Sequence, residues 1–397
     1  MNHDAYKGLP AGTFNIQAQE QVVFGQPADS AVLALAQQLG ARRVFLTSSR
    51  SLARLANGPL QRIERALGTH HVGTMATIRA HSPREDVIEG ALAARAAQAD
   101  LLVAVGGGSV LDATKAMLMC LWMGLDTPES LEPYRNGTAP EIARKIVAPP
   151  QAIRMIAVST TLSAADFTPN AGVTESVTHT KQSYSHRLLA PFAAVLDPAA
   201  TLDTPHDLLF NTAIRSVDHA VESYCSPLAN PATEPLSLQG LRLLYRALPA
   251  IQANPAALGP RLDAQFGMWQ AIAGSVGGAK TGASHGIGYA LGATFDIAHG
   301  HTSCILLPAV LQWNAAVNAP RQRGLSEAMG APGTPAWELI RALVKQLNLP
   351  GTLRDVKVGP EHFAEIARRA LVYVNLKDNP RQISRVEEVI EVLELAR

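Results

Sequence analysis

Leu101-Leu102-Val103-Ala104-Val105-Gly106-Gly107-Gly108-Ser109-Val110-Leu111-Asp112-Ala113-Thr114-Lys115 is the stretch on which the fold class turns. Its apolar run is too short for a helix and stops at three glycines, as a strand buried on both faces of a parallel sheet does. The residues from Val110 onward open a helix. Strand, glycines and helix in that order form a turn suited to phosphate. Glycines let the backbone approach a pyrophosphate, and a helix N-terminus offers free N–H groups and the positive end of its dipole. Ser109 is placed to cap the helix or to donate to phosphate. Gly106, Gly107, Gly108, Ser109, Asp112 and Lys115 are therefore candidate cofactor ligands. The turn is not the GxGxxG of ordinary dinucleotide domains, so by itself it leaves the cofactor open.

Around this turn, strands and helices alternate. Arg42–Thr47 reads as a strand after a helix over Ala31–Leu39 that ends at Gly40, and Val72–Ala80 reads as a second strand. Pro83–Ala99 has the three-and-four apolar spacing of a surface helix, with Ser82 as its cap. Arg154–Ser159 and Ala193–Leu196 supply further strands. Strands separated by helices imply βαβ units and a doubly wound parallel sheet. After Asp197-Pro198 the pattern is helical throughout: Leu236–Ala253, Arg261–Ala273, Trp337–Leu347, Pro360–Val372 and Ile383–Leu395. The expected architecture is an α/β N-terminal Rossmann-like domain over 1–198 and an all-α C-terminal domain over 199–397. A cleft between two such domains is the usual place for a ligand.

The chain has 397 residues, room for two or three domains at about 150 each. An apolar fraction of 47% with 17% charged residues describes an ordered globular protein rather than a disordered one. Thirty-four basic against thirty-three acidic residues leave no basic excess, so nucleic acid is not expected as a partner. Cys120, Cys225 and Cys304 are too few and too scattered for a disulfide framework and read as reduced thiols. No apolar run reaches the roughly eighteen residues of a membrane helix, and the N-terminus lacks the pattern of a secretory signal. A cytoplasmic protein with no membrane partner is expected.

Two further groups carry chemistry. Ser159-Thr160-Thr161-Leu162-Ser163 follows a strand, so Thr160 and Thr161 lie on the carboxyl edge where parallel sheets bind ligands; a self-satisfied Ser/Thr turn is the plainer reading. Of twelve histidines, three stand apart: His219 in the helical stretch Arg215–Glu222, and His285 and His299 in one block. Tyr289 lies one helical turn after His285 and on the same face. Three imidazoles suit a catalytic metal with an open position, or equally a metal-free polar cleft that binds substrate and moves protons.

GGGSVLDATK, the Thr-Thr loop, DHAVESY with Asn230-Pro231-Ala232-Thr233, and HGIGYALG…HGHTSCILLP resemble, in that order, the iron-containing (group III) alcohol dehydrogenases. The resemblance runs from about Val23 to beyond Pro308. It implies a Rossmann-like domain binding NADH or NADPH, a helical substrate domain, and hydride transfer in the cleft between them. A homodimer is the assembly it suggests. Metal-dependent members carry an aspartate four residues before the first histidine, and two further histidines. These positions are here Arg215, His219, His285 and His299. An arginine is always charged and has no lone pair to offer, so metal-free operation is expected. Asp218, next in sequence to His219, is expected on a different side of the helix and does not replace the ligand.

The Thr160–Thr168 loop is one residue shorter than is usual in metal-dependent members and resembles the maleylacetate reductase branch. That branch reduces the double bond of maleylacetate to give 3-oxoadipate in aromatic-ring degradation, without a metal. Ala164-Ala165-Asp166 stands where it usually has Gly-Ser-Glu, and Tyr289 where both branches usually have histidine. The expected partner is thus a small oxo acid. Conjugate reduction builds an enolate, which fixed cationic groups stabilise. Arg215, with His219 or His285, is expected to stabilise it or to clamp a carboxylate, and His285 or Tyr289 to deliver the proton. An Arg215 that only salt-bridges within the helical domain is the plainer alternative.

For the cofactor, Arg42–Thr47 ends in Ser48, Ser49 and Arg50, with no carboxylate to repel a 2′-phosphate, so both NADH and NADPH should serve. The competing readings are a metal-dependent alcohol dehydrogenase acting on an aldehyde or ketone through His219, His285 and His299, and a non-catalytic nucleotide-binding module.

Overall fold

The computed structural model describes residues 13–177 and 180–397. The chain forms two compact units. One comprises Gln17–Ala213 and Ala250–Phe266; the other comprises Ile214–Pro249 and Gly267–Arg397, with residues 13–16.

The first unit is α/β. In chain order it holds β1 (Gln21–Phe24), α1 (Ala28–Gln38), β2 (Val44–Thr47), α2 (Arg50–Ala53), α3 (Pro59–Leu67), β3 (His71–Met75), α4 (Arg84–Ala96), β4 (Leu101–Gly106), α5 (Gly108–Met123), β5 (Arg154–Ser159), β6 (Asn170–Glu175), β7 (Thr180–Ser185) and β8 (Ala193–Leu196). Six strands form one sheet in the order β1-β8-β5-β4-β2-β3, with every neighbouring pair parallel. β4 is buried along its whole length. Its side chains alternate between two apolar layers, as strand geometry requires. Leu102 and Ala104 join Met117 and Leu111, whereas Leu101, Val103 and Val105 join Leu46 and Ile63.

The strand order reverses between β2 and β4: after β2 the chain moves outward to β3, and after β4 it moves the other way to β5. Such a switch point opens a crevice at the carboxyl ends of the strands, and the loops there carry Ser48, Gly106–Ser109 and Thr160.

β2, β4, β5 and β8 fall where the sequence pattern places them. β3 ends at Met75 rather than Ala80, because the Ile78 N–H bonds to the Ser48 carbonyl at 3.2 Å and takes the chain out of the sheet. Ser82 is not a helix cap. Its φ is +54°, Pro83 holds the cap position of α4, and the Ser82 hydroxyl donates to the Ser109 carbonyl at 2.7 Å. The antiparallel hairpin β6–β7 escaped the sequence pattern because β7, Thr-Lys-Gln-Ser-Tyr-Ser, buries only Tyr184.

Among the described residues no strand follows Leu196, the change of character read at residue 198. The division between the units falls further on, within α6 (His206–Cys225). The remaining helices are α7 (Glu234–Ala253), α8 (Leu258–Val276), α9 (Ala283–Phe295), α10 (His299–Ala328), α11 (Ala336–Gln346), α12 (Phe363–Ala370) and α13 (Val386–Leu395). α10 is kinked at Asn318, two residues before Pro320. The core of the helical unit gathers Ile287, Leu291, Leu306, Ile366 and Val389 from α9, α10, α12 and α13. Among the described residues no helix is long and apolar enough to cross a membrane.

Candidate active site

The glycine turn of the α/β unit is tightly enclosed on one side. A methyl at Gly107 would come within 2.9 Å of Thr161 Cγ2, and one at Gly108 within 3.1 Å of Ser163 Oγ. None of Gly106, Gly107 and Gly108 has a positive φ, so glycine is needed there for space and not for backbone strain. Gly107, Gly108 and Ser109 are partly exposed at the start of the 16-residue α5, and no side chain caps that end. Backbone donors left at a long helix's N-terminus, beside a turn that admits no side chain, suit a pyrophosphate.

The other candidates around this turn divide into two groups. Ser109 stays at the surface, and its hydroxyl accepts the His81 N–H at 3.0 Å instead of capping its own helix. Ser49 and Asp112 are also partly exposed. Ser48, Thr160, Thr161 and Lys115 are enclosed. The Ser48 hydroxyl donates to the Val105 carbonyl at 2.8 Å, and the Thr160 N–H donates to the Gly106 carbonyl at 3.0 Å, so both stitch neighbouring strand ends together. Lys115 corrects its sequence reading most plainly. Its ammonium donates to the Ala165 carbonyl, the Thr168 hydroxyl and the Asn170 carbonyl at 2.6–3.0 Å. An ammonium has three N–H donors, so none is left for a phosphate. Burial lowers its pKa, with Asp112 at 3.8 Å and Asp166 working against that shift. Asp166 itself is buried, and burial pushes its carboxyl up to about 6. Lys115 thus pins the loop that covers the turn.

In the helical unit, all five residues singled out as catalytic come together. His219 and His285 have ring centroids 4.6 Å apart, His285 and Tyr289 6.2 Å, and Tyr289 and His299 5.7 Å. The Arg215 guanidinium lies over the Tyr289 ring at 5.6 Å. Helical spacing accounts for part of this. α9 puts His285 and Tyr289 one turn apart, and α6 puts Arg215 and His219 one turn apart.

The same spacing brings in two residues that the sequence reading left out. Arg215, Asp218, His219 and Glu222 fall at i, i+3, i+4 and i+7, one stripe of α6. Asp218 is therefore not turned away from the site. Its Oδ2 accepts the hydroxyls of Ser284 at 2.8 Å and Ser303 at 2.6 Å, and lies 3.5 Å from His285 Nδ1. Glu222 accepts the backbone N–H groups of Gly282 at 2.8 Å and Ser284 at 2.7 Å. Those are orphan donors at the start of α9, where a carboxylate is favoured. Its Oε2 is also 2.7 Å from His285 Nδ1. The i+7 position of Glu222 was the available signal.

Burial governs the electrostatics. It pushes the Asp218 carboxyl up to about 6, with Glu222 adding to the rise while His285 and Arg215 oppose it. Glu222 is pushed up to about 7 against the pull of its backbone donors. Burial, then the Arg215 charge, lowers His285 to about 3, and burial with His285 and Arg215 holds His219 well below the ordinary imidazole value.

A divalent metal would need ligands here. Asp218, Glu222 and His285 each bring one donor atom within 4.8 Å of the others. Those atoms already face partners, however: Asp218 Oδ2 takes two hydroxyls, Glu222 takes two N–H groups, and His285 Nδ1 faces Glu222. The remaining nitrogen, His285 Nε2, faces His219 Nδ1 at 3.2 Å. A guanidinium nitrogen of Arg215 lies 3.8 Å from Asp218 Oδ2, where it would oppose a second cation. These contacts and the Arg215 charge weigh against a divalent ion at these atoms, while Asp218 Oδ1 is buried with no hydrogen-bond partner among the described residues.

Residues 19–198 match the family model described as iron-containing alcohol dehydrogenase, and residues 210–396 match its C-terminal counterpart. The dehydrogenase FUM7 of Gibberella moniliformis is 31% identical over 94% of this chain and 95% of its own. A maleylacetate reductase of Sphingobium indicum is 28% identical over 95% of each. The crystal structure of a 1,3-propanediol oxidoreductase superposes with a TM-score of 0.86 at 25% identity, over 97% of this chain and 100% of that one. The protein is an oxidoreductase that belongs to the iron-containing alcohol dehydrogenase family, on its maleylacetate reductase-like branch.

Proposed function

We propose that the protein is a metal-independent, NAD(P)H-dependent reductase that converts maleylacetate, or a similar oxo-enoic acid, to 3-oxoadipate or its counterpart. The observation that carries this reading is the state of Arg215. Its guanidinium has five N–H donors and uses two, on neutral oxygens: Ser303 Oγ at 3.1 Å and Tyr289 Oη at 3.5 Å. The guanidinium also stands 3.8 Å from the Asp218 carboxylate, and its other three N–H groups make no hydrogen bond among the described residues. A partly exposed cation with open donors beside two neutral imidazoles suits an anionic, electron-accepting substrate.

A bound nicotinamide would supply hydride to the alkene carbon remote from the ketone, leaving negative charge on the ketone oxygen of the substrate. Arg215 is placed to hold that oxygen or the adjacent carboxylate, and the histidine–tyrosine group to return a proton to the carbon next to the ketone. The balance is one substrate, one NAD(P)H and one proton to one saturated oxo acid and NAD(P)+. Gly106, Gly107, Gly108 and Ser109 would hold the cofactor's pyrophosphate, with Ser49 and Asp112 at the edge of that surface. The likeness to a maleylacetate reductase supports the choice of substrate.

The test is NADH and NADPH oxidation with maleylacetate on protein dialysed exhaustively against chelator. Full activity is the expected result. Activity that appears only after Zn or Fe is restored would overturn the metal-free part and favour an alcohol dehydrogenase using His219, His285 and His299.

A further inference from the structure

Tyr289 has a further aromatic neighbour that takes no part in the reaction described above. The ring of Tyr373 lies 5.3 Å from it, inclined at 53°. Tyr373 follows α12 with an extended backbone, φ −85° and ψ 127°. Its neighbours Val372 and Val374 are 80% and 64% exposed, so alternation turns the tyrosine inward. The stretch is anchored on α9. Leu376 fills the space beside Gly286, where a methyl would collide with Leu376 Cδ1, and the Asn375 side-chain amide donates to the Thr281 hydroxyl at 2.8 Å. Gly286 and Tyr289 are three residues apart and share a helix face, so this anchoring also sets Tyr373 against Tyr289. Arg215, His285, His299 and Tyr373 thus surround one ring.

The Tyr373 phenol is partly exposed and makes no hydrogen bond among the described residues. Burial, then Tyr289, raises its pKa while the Arg369 charge opposes them, so the hydroxyl keeps its proton at neutral pH and can donate. Arg369 is itself paired with Glu365 at 2.7 Å. Two open donors therefore stand about the Tyr289 ring, the Arg215 guanidinium and the Tyr373 hydroxyl. We propose that Tyr373 is the residue that selects a diacid, its hydroxyl donating to the substrate carboxylate on the far side of the ketone from the alkene. Arg215 then serves the ketone oxygen or the other carboxylate. Maleylacetate carries a carboxylate at each end of its chain with the ketone between them, and so presents acceptors to both donors. An analogue without the second carboxylate leaves the phenol enclosed and unpaired, which is how such a site discriminates. The choice of an oxo-enoic diacid rests on the function proposed above, whereas a carboxylate subsite at Tyr373 does not.

Adipate and pentanoate test the subsite without chemistry, since the first has two carboxylates, the second has one, and neither accepts hydride. In isothermal titration calorimetry on chelator-dialysed protein, the wild type should bind adipate about tenfold more tightly than pentanoate. Tyr373→Phe keeps the ring against Tyr289 and removes only an unpartnered hydroxyl, so folding is not at stake. It should weaken adipate binding about tenfold to a hundredfold, the range of a hydrogen bond to a charged group, and leave pentanoate unchanged. In turnover, KM for maleylacetate should rise by the same factor at nearly constant kcat. Acetylacrylate, which has the alkene and ketone but lacks the remote carboxylate, should show no change. Adipate affinity unaltered by Tyr373→Phe, an equal loss on adipate and pentanoate, or a wild type that does not prefer adipate would overturn the subsite. A Tyr373-dependent adipate preference in a protein that turns over no oxo-enoic acid would keep the subsite and refute the substrate.

Discussion

Replacing Arg215 by alanine separates the site's chemistry from its architecture. The guanidinium is 11% exposed, touches only neutral oxygens by hydrogen bond, and stands 3.8 Å from Asp218. A donor aimed at a developing oxyanion contributes about 3–4 kcal/mol, or 100- to 1,000-fold in kcat. A unit charge about 4 Å away, at an effective dielectric constant near 20, gives a similar magnitude. Stability should change less, by about 1–2 kcal/mol, because Arg215→Ala removes one loose ion pair and leaves Ser303 still bonded to Asp218. Steady-state kinetics with NADPH and maleylacetate, alongside thermal melting, read both quantities. A fall in kcat at constant KM assigns Arg215 to the enolate, and a rise in KM at constant kcat assigns it to a substrate carboxylate. Arg215→Lys keeps the charge without the planar fork and should fall between the two. A folded Arg215→Ala protein with kcat/KM within about threefold of wild type would refute the catalytic reading and leave Arg215 a structural partner of the buried Asp218.

Other consequences reach both units. Asp166 has a folded pKa near 6 against an ordinary 3.8, so the native state binds its proton more tightly. This acid destabilises the fold as pH rises from about 4 to 6, by about 3 kcal/mol in full. Asp166→Asn should therefore raise the urea midpoint at pH 8 and lose that advantage near pH 4; a pH-independent difference would count against the argument. Lys115→Met leaves the Ala165 and Asn170 carbonyls without their donor, and should cost about 2–4 kcal/mol in chemical unfolding. Gly107→Ala puts a methyl 2.9 Å from Thr161 and should weaken NADPH binding, measured by fluorescence, at least tenfold. Because the β2 end carries no carboxylate, NADH and NADPH should differ by less than about a hundredfold in kcat/KM, and a larger preference for NADH would sink that reading.

The parallel sheet was legible because its inner strands are continuous apolar runs stopped by glycine or hydroxyl residues, a pattern that local sequence carries by itself. The hairpin β6–β7 was not, since a strand with one buried residue in six has no hydrophobic period to find. In the helical unit the five catalytic candidates were found as motif positions, and the structure brings them together. Asp218 was set aside for a physical reason, and Glu222 was not weighed at all. Adjacent residues on a helix diverge by about 100°, which argued against Asp218, but a stripe is wide enough to hold i, i+3, i+4 and i+7 together. Lys115 failed in the opposite direction. A lysine after a glycine turn suggests phosphate, and only its three carbonyl and hydroxyl partners, from a loop some fifty residues on, reveal its use.

The exchange of an aspartate for Arg215 has a consequence for charge that geometry alone does not convey. A divalent ion with one aspartate ligand carries a net charge of +1, and so does one guanidinium. Replacing the first by the second keeps the field that an anionic substrate meets, while removing the Lewis acid that a simple aldehyde or ketone would need to accept hydride. An oxo-enoic acid needs it less, because its alkene is already activated by the neighbouring ketone and its charge develops on an oxygen that N–H donors can hold. Asp218 and Glu222 are buried with their carboxyls pushed up to about 6 and about 7, and both nearby imidazoles are held neutral, so at neutral pH the guanidinium faces roughly its own charge in carboxylate. On the function proposed above, one residue, Arg215, would both hold the anionic, conjugated substrate and oppose a metal cation.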